Sequence, residues 1–249
     1  MENYHITKKQ YIIFNYLYRF RFLNTNQLAH IMGHKDPRRL YTWLHDLMKK
    51  KIIGRLYKRT ITNGNQPAIY FLASKSNQLL ADHAGTEQSF LNRVYNEKYR
   101  SKKFIDHALY IADMYLWLKE RTEKEKAELN FYTKVDLEAH KYLIHPLPDA
   151  YIALSEGRDT AKRYFVEVID PNYPRFAIRK KVESYIEYFQ SKKFEKTTRH
   201  PFPSVLIISA NENTRSYFIK YIQNQRDNNY LENLSFYTSS SYNSSWEKA

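Results

Sequence analysis

The chain contains no cysteine. That single absence excludes disulfides, thiolate zinc sites and a cysteine nucleophile. Glycine is also scarce: the five present form neither a phosphate-binding loop nor a dinucleotide fingerprint. There is no run of about 18 apolar residues and no apolar N-terminal segment, which predicts a soluble, cytoplasmic protein. Acidic residues are missing selectively. Residues 1–80 hold 3 Asp/Glu against 14 Lys/Arg, whereas residues 81–249 hold 23 against 26.

The formal net charge of +14 is therefore concentrated in the first third of the 249 residues. Such an excess calls for a polyanionic partner, and double-stranded DNA fits best because the charge lies on a recognisable scaffold. Aromatic residues make up 16%, with 23 Tyr, enough for a packed core and a partly aromatic surface. The length suits one large or two modest domains.

Apolar periodicity predicts a helix from Thr7 to about Phe22, with Tyr11, Phe14, Leu17 and Tyr18 inward. A short second helix begins at Asn24 or Thr25 and ends near Gly33. Pro37 opens a third helix that reaches Lys50, with Leu40, Leu44, Leu47 and Met48 on its apolar stripe. Ile52–Thr62 and Pro67–Ala73 read as strands around an Asn63-Gly64-Asn65 turn. Three helices and a hairpin make a winged helix-turn-helix, expected over residues 1–84. On that reading Arg38, Arg39, Thr42, His45 and Lys49 face DNA from the third helix. Lys58, Arg59 and Asn63 sit on the wing. A fourth helix is expected from Ser74 to Ala84, and a connecting helix over 85–103.

The second part, 104–238, reads as an α/β domain, with a loose Ser-rich tail over 239–249. Its most informative stretch is LPDAYIALSEGRDTAKRYFVEVID, Leu147 to Asp170. Ala150–Leu154 and Tyr164–Ile169 are strand-like, joined by a polar turn, and Glu167 interrupts the apolar second strand. A carboxylate there is expensive to bury alone. A hairpin brings Asp149 and Glu167 to neighbouring strands, where two carboxylates can share a divalent cation such as Mg²⁺ or Mn²⁺. Asp170 is a candidate third ligand. His107, His140 and His145 match no metal-ligand spacing and read as packing and loop residues.

Around this hairpin the expected order is helix (Phe104–Glu123), strand (Asn130–Leu137), the two hairpin strands and helix (Arg175–Phe194). Strand (Pro203–Ser209), helix (Asn213–Asn224) and a last strand (Leu234–Tyr237) follow. This resembles the core of the restriction-endonuclease-like fold, marked by Pro-Asp and then (Asp/Glu)-x-Lys on the next strand. Here Pro148-Asp149 and Glu167 are present, but Ile169 stands where the lysine belongs. Lys180 and Lys181, on the following helix, are the available substitutes. The sequence offers LPDAYIAL, FVEVID, IRKKVESYIEYF and FPSVLII in that order, and so resembles the bacterial replication-relaxation family. It is similar in layout to the MobC class of plasmid relaxases.

The resemblance implies an α+β protein with a winged helix and a nuclease-like domain. It also implies a plasmid or conjugative-element partner at an origin region, other relaxosome or replication proteins as companions, and metal-assisted nicking of one strand. Asp149 and Glu167 would hold the ion and Lys181 or Lys180 would stabilise the phosphate. The alternative is a DNA-binding accessory protein whose nuclease-like domain has lost catalysis. The His-hydrophobe-His triad of the better-known relaxases is absent.

Overall fold

The computed structural model describes residues 6–33, 36–57, 66–81, 96–155, 161–171, 173–228, 231 and 233–249. They fall into two compact units, Met1–Leu116 and Trp117–Ala249. No helix among the described residues is long and apolar enough to cross a membrane.

The first unit opens with α1 (Lys8–Phe20). Thr7 caps it: its hydroxyl accepts the Gln10 N–H, and the Gln10 side chain accepts the Thr7 N–H. Two donors orphaned at the helix start are satisfied reciprocally. The helix ends earlier than its periodicity predicts. Arg21 takes φ 69 and turns the chain into a strand, β1 (Phe22–Asn24). The competing force is pairing: Phe22 and Leu23 lie opposite Phe71 and Tyr70 on β3 (Ile69–Leu72), and both are buried. Asn24 caps α2 (Thr25–Met32) with a second reciprocal box through Gln27, and Gly33 closes it at φ 61. Asp36 caps α3 (Pro37–Lys49), which has Pro37 in its first turn. With β2 (Ile53–Leu56) the strands make an antiparallel sheet in the order β1-β3-β2. Gly54 lies opposite Phe71, and a Cβ there would come within 2.4 Å of the Phe71 ring.

A short helix, α4 (Ser76–Ala81), and a 3₁₀ turn (Glu97–Tyr99) follow. Buried Glu97 accepts the Arg21 Nε–H at 2.8 Å. The long helix α5 (Lys102–Glu125) gives its first half to this unit. Ile105 and Ala108 join Phe22 and Phe71 in a core cluster, and the Gln27 amide donates to the Leu109 carbonyl and the Asp113 carboxylate. The expected Asn63-Gly64-Asn65 turn, and Lys58 and Arg59 with it, lie outside the described residues. So does the 85–95 part of the expected connecting helix.

The second unit is built on a mixed sheet in the order β4-β5-β6-β7-β8-β9. β4 (Glu128–Thr133), β5 (Ala150–Ser155) and β6 (Lys162–Val168) form an antiparallel meander. The expected strand over Asn130–Leu137 is cut short. Thr133 caps a single helical turn, α6 (Lys134–Leu137), with Asp136 returning the bond. α7 (Arg175–Gln190) and α8 (Lys193–Thr198) lead to β7 (Ser204–Ile208), parallel to β6. α9 (Glu212–Asn228) leads to β8 (Phe236–Ser239), parallel to β7. Both parallel joins use helices, as crossovers require. One core cluster joins Phe165, Val205, Ile207 and Phe236 of the strands to Ile178, Val182, Tyr185, Phe218 and Ile222 of the helices.

The Ser-rich tail, expected to be loose, is structured. β9 (Glu247–Lys248) pairs antiparallel with β8, Ala249 is buried, and its N–H donates to the Phe236 carbonyl. Composition conceals this because serine hydroxyls bond locally: Ser239 donates to the Ser241 and Ser245 carbonyls.

Candidate active site

The register of β5 and β6 pairs Ala150 with Val166, which puts Asp149 opposite Glu167 where the pairing begins. Directly opposed residues of an antiparallel pair share a sheet face, so the two carboxylates face the same side. Asp149 is locked at that end: its N–H donates to the Val166 carbonyl at 3.0 Å, and its Oδ2 accepts the Val168 N–H at 2.9 Å.

Glu167 shares its face with Phe165, two residues earlier, and that face is covered by α7. Its side chain is only 3% exposed. Two α7 residues one turn apart reach it. Lys181 Nζ donates to Oε2 at 2.7 Å, and the Tyr185 hydroxyl donates to Oε1 at 2.8 Å. Spacing i, i+4 stacks these two groups on one stripe of the helix. Of the two neighbouring lysines that the sequence offers on α7, Lys181 is the one that meets Glu167. Lys180 is exposed, its side chain on the solvent face of the helix.

The electrostatics are crowded. Burial pushes the Glu167 carboxyl above its ordinary value, and Asp149 raises it further against the opposing pull of Lys181 and the Tyr185 bond. Burial is the largest single influence on Lys181 and lowers it, but the charge and hydrogen bond of Glu167 with the neighbouring charges together exceed it, so the ammonium holds its proton more tightly than usual. Asp149 and Tyr173 act on it in the same direction. Burial and the Glu167 charge push the Tyr185 phenol well above its usual range. Two carboxylates and one ammonium leave the cluster with one excess negative charge when all three are ionised.

Asp170 does not complete a three-carboxylate set. Among the described residues no group of three or more His, Asp or Glu side chains is arranged to hold a metal ion. Asp170 follows the end of β6, past Ile169, whose N–H donates to the Ile208 carbonyl. Tyr185 escapes sequence reasoning as a site residue because it reads as part of the apolar stripe. The available signal is its position four residues beyond Lys181.

In the first unit, Arg38, Arg39, Thr42, His45 and Lys49 are all exposed on α3, while Leu40, Leu44 and Leu47 are buried. The Thr42 hydroxyl donates to the Arg38 carbonyl, and Asp36, which caps the helix, also meets the Arg38 guanidinium at 3.3 Å. Lys58, Arg59 and Asn63 lie outside the described residues.

Comparison with curated proteins returned no match. Among solved structures, the crystal structure of NadR in complex with 4-hydroxyphenylacetate aligns at 20% identity with a TM-score of 0.29, covering 48% of this chain and 74% of that one. That likeness is too loose to bear on fold or function. The sequence profile of the replication-relaxation family matches residues 14–205. The match runs from α1 into β7 and so includes Asp149, Glu167, Lys181 and the exposed face of α3; the chain belongs to the replication-relaxation family.

Proposed function

We propose that the chain grips duplex DNA at an origin region of a plasmid or mobile element and nicks one strand there by metal-assisted hydrolysis. The supporting observation is Lys181 seated on Glu167 beside Asp149. A buried glutamate that needed only neutralising is already satisfied by Lys181 and Tyr185. A second carboxylate alongside works against folding, and like-charge crowding of this kind concentrates at functional sites. On this reading the second unit is restriction-endonuclease-like, with the missing strand lysine replaced from the helix.

The donor set suits a hard cation. A carboxylate oxygen that accepts one hydrogen bond, as both Glu167 oxygens and Asp149 Oδ2 do, still carries a second lone pair. Asp149 and Glu167 could therefore hold Mg²⁺ or Mn²⁺ without surrendering Lys181 or Tyr185. Magnesium is commonly held by one or two carboxylates plus substrate phosphates, so no complete protein cage is required. Such an ion would supply an activated water and neutralise phosphate charge. The Lys181 ammonium would stabilise charge growing on the phosphoryl oxygens. Water adds to phosphorus and one P–O ester bond breaks, leaving a phosphate end and a hydroxyl end. The first unit fits a winged helix whose α3 presents Arg38, Arg39, Thr42, His45 and Lys49 to the duplex.

One observation favours a second reading. Glu167 is 3% exposed and both its oxygens are engaged, as in a structural network. The chain would then be a non-catalytic DNA-binding accessory in a replication or relaxation complex. Supercoiled plasmid carrying the native origin separates the two. Nicking predicts open circles with Mg²⁺ or Mn²⁺, lost in EDTA and in Asp149→Ala and Glu167→Gln. Duplex binding by the wild type with no open circles under any metal would establish the accessory role.

A further inference from the structure

The first two turns of α7 carry a second feature. Ile178, Val182 and Tyr185 turn into the core, while Arg175, Phe176, Arg179 and Lys180 are exposed. Phe176 is 66% exposed, a large apolar ring left in water. It sits one turn from both Arg179 and Lys180, on one surface of the helix. The two arginines are held in place by an aromatic ring instead of a carboxylate. The Arg175 guanidinium lies 5.2 Å from the centre of the Tyr217 ring, and Arg179 Nη1 donates to the Tyr217 hydroxyl at 3.3 Å. Tyr217 in turn stacks on Tyr221, which donates to Glu183. Lys180 makes no ion pair with a described residue. The next residue along is Lys181, in the candidate active site.

We propose that this face binds an unpaired nucleic-acid strand, with one base stacked on Phe176 and the flanking phosphates on Arg179, Lys180 and Arg175. An exposed ring flanked by cations is the combination by which single strands are held, since every base offers a π-face and every nucleotide a phosphate. Guanidinium groups oriented by an aromatic platform lose less freedom on meeting a phosphate. Paired bases in a duplex are stacked on each other and leave no face for Phe176, so the site selects unpaired strands. A protein partner would have to bring matching carboxylates to this many cations, whereas a polynucleotide carries that spacing of charge throughout. The inference rests on the strand-cleaving reading only for its purpose: it would feed the strand to be cut toward Lys181.

The test uses the full chain in EDTA, so that binding is read without cleavage. A fluorescein-labelled oligothymidylate and a duplex of equal length are titrated by anisotropy. Phe176→Ala should weaken single-strand binding by about tenfold or more, the range that stacking one base spans. Duplex binding should change by less than twofold. Phe176→Trp should retain affinity and Phe176→Leu should not, which separates stacking from mere hydrophobicity. Arg179→Ala with Lys180→Ala should flatten the single-strand salt slope by about 0.7 for each phosphate no longer neutralised. The ring is exposed, so thermal melting should be unaltered. Wild-type single-strand affinity in both Phe176→Ala and Phe176→Leu overturns the proposal, as does equal loss on single strand and duplex. Absence of nicking with these binding effects intact overturns the cleavage reading and leaves the strand site standing.

Discussion

Glu167 depends on its cation. Lys181→Met leaves a buried carboxylate beside Asp149 with no positive partner, and should destabilise the fold by about 3–5 kcal/mol in urea titrations. Adding Glu167→Gln should recover much of that loss, since the charge that needed a partner is gone. The pH dependence follows from the same crowding. The folded-state pKa of Glu167 is raised above its ordinary value of 4.5. The stability this confers is full below the ordinary value and is lost as pH rises through the folded-state value. Without bound metal, urea titrations should therefore show stability falling as pH rises through that value, and falling further in Lys181→Met. The acidic pair was legible in the sequence through Pro148-Asp149 and one misplaced glutamate. The choice of Lys181 over Lys180 was not, because consecutive helical residues point about 100° apart and only the roll of α7 decides which turns inward.

Gly54 shows what an element can hide. Its lack of a side chain lets the Phe71 ring lie across β2, and Gly54→Ala would drive a methyl into that ring. The expected cost is about 1–3 kcal/mol of unfolding free energy, less in a Phe71→Leu background. Amphipathic helices such as α3 and α7 were legible from periodicity because each buries one stripe over several turns. β1 was not: three residues are too few to show a period, and they follow a helix whose pattern runs straight into them. The same holds for α6 and β9, where capping by Thr133 and pairing with β8 decide the structure. Sequence shows a segment's own preference; tertiary partners overrule it most easily where the segment is short.

Across the whole molecule, charge and chemistry occupy different stretches of chain. Arg38→Ala with Arg39→Ala should weaken duplex binding and reduce the salt slope by about 0.9 for each phosphate left without its arginine. Asp149→Asn should cut nicking by about ten- to a hundredfold, the loss that removing a metal site's orienting group brings, with duplex affinity held within twofold. Gel-shift and plasmid-nicking assays on the same preparations measure both. If duplex affinity fell together with nicking in Asp149→Asn, binding and cutting would not be separate properties. The order of elements in the second unit was readable because each parallel join requires a helix and each strand was apolar enough to stand out. The structure also shows that α5 serves the first unit before reaching the second, a division that composition does not mark.

The ammonium beside Glu167 arrives on a helix from fourteen positions downstream. A pattern search that demands it two positions after the acid would pass this arrangement over. Proteins with a Pro-Asp, an isolated strand glutamate and a basic doublet early in the next helix should therefore be sorted by spatial arrangement before any is dismissed as inactive.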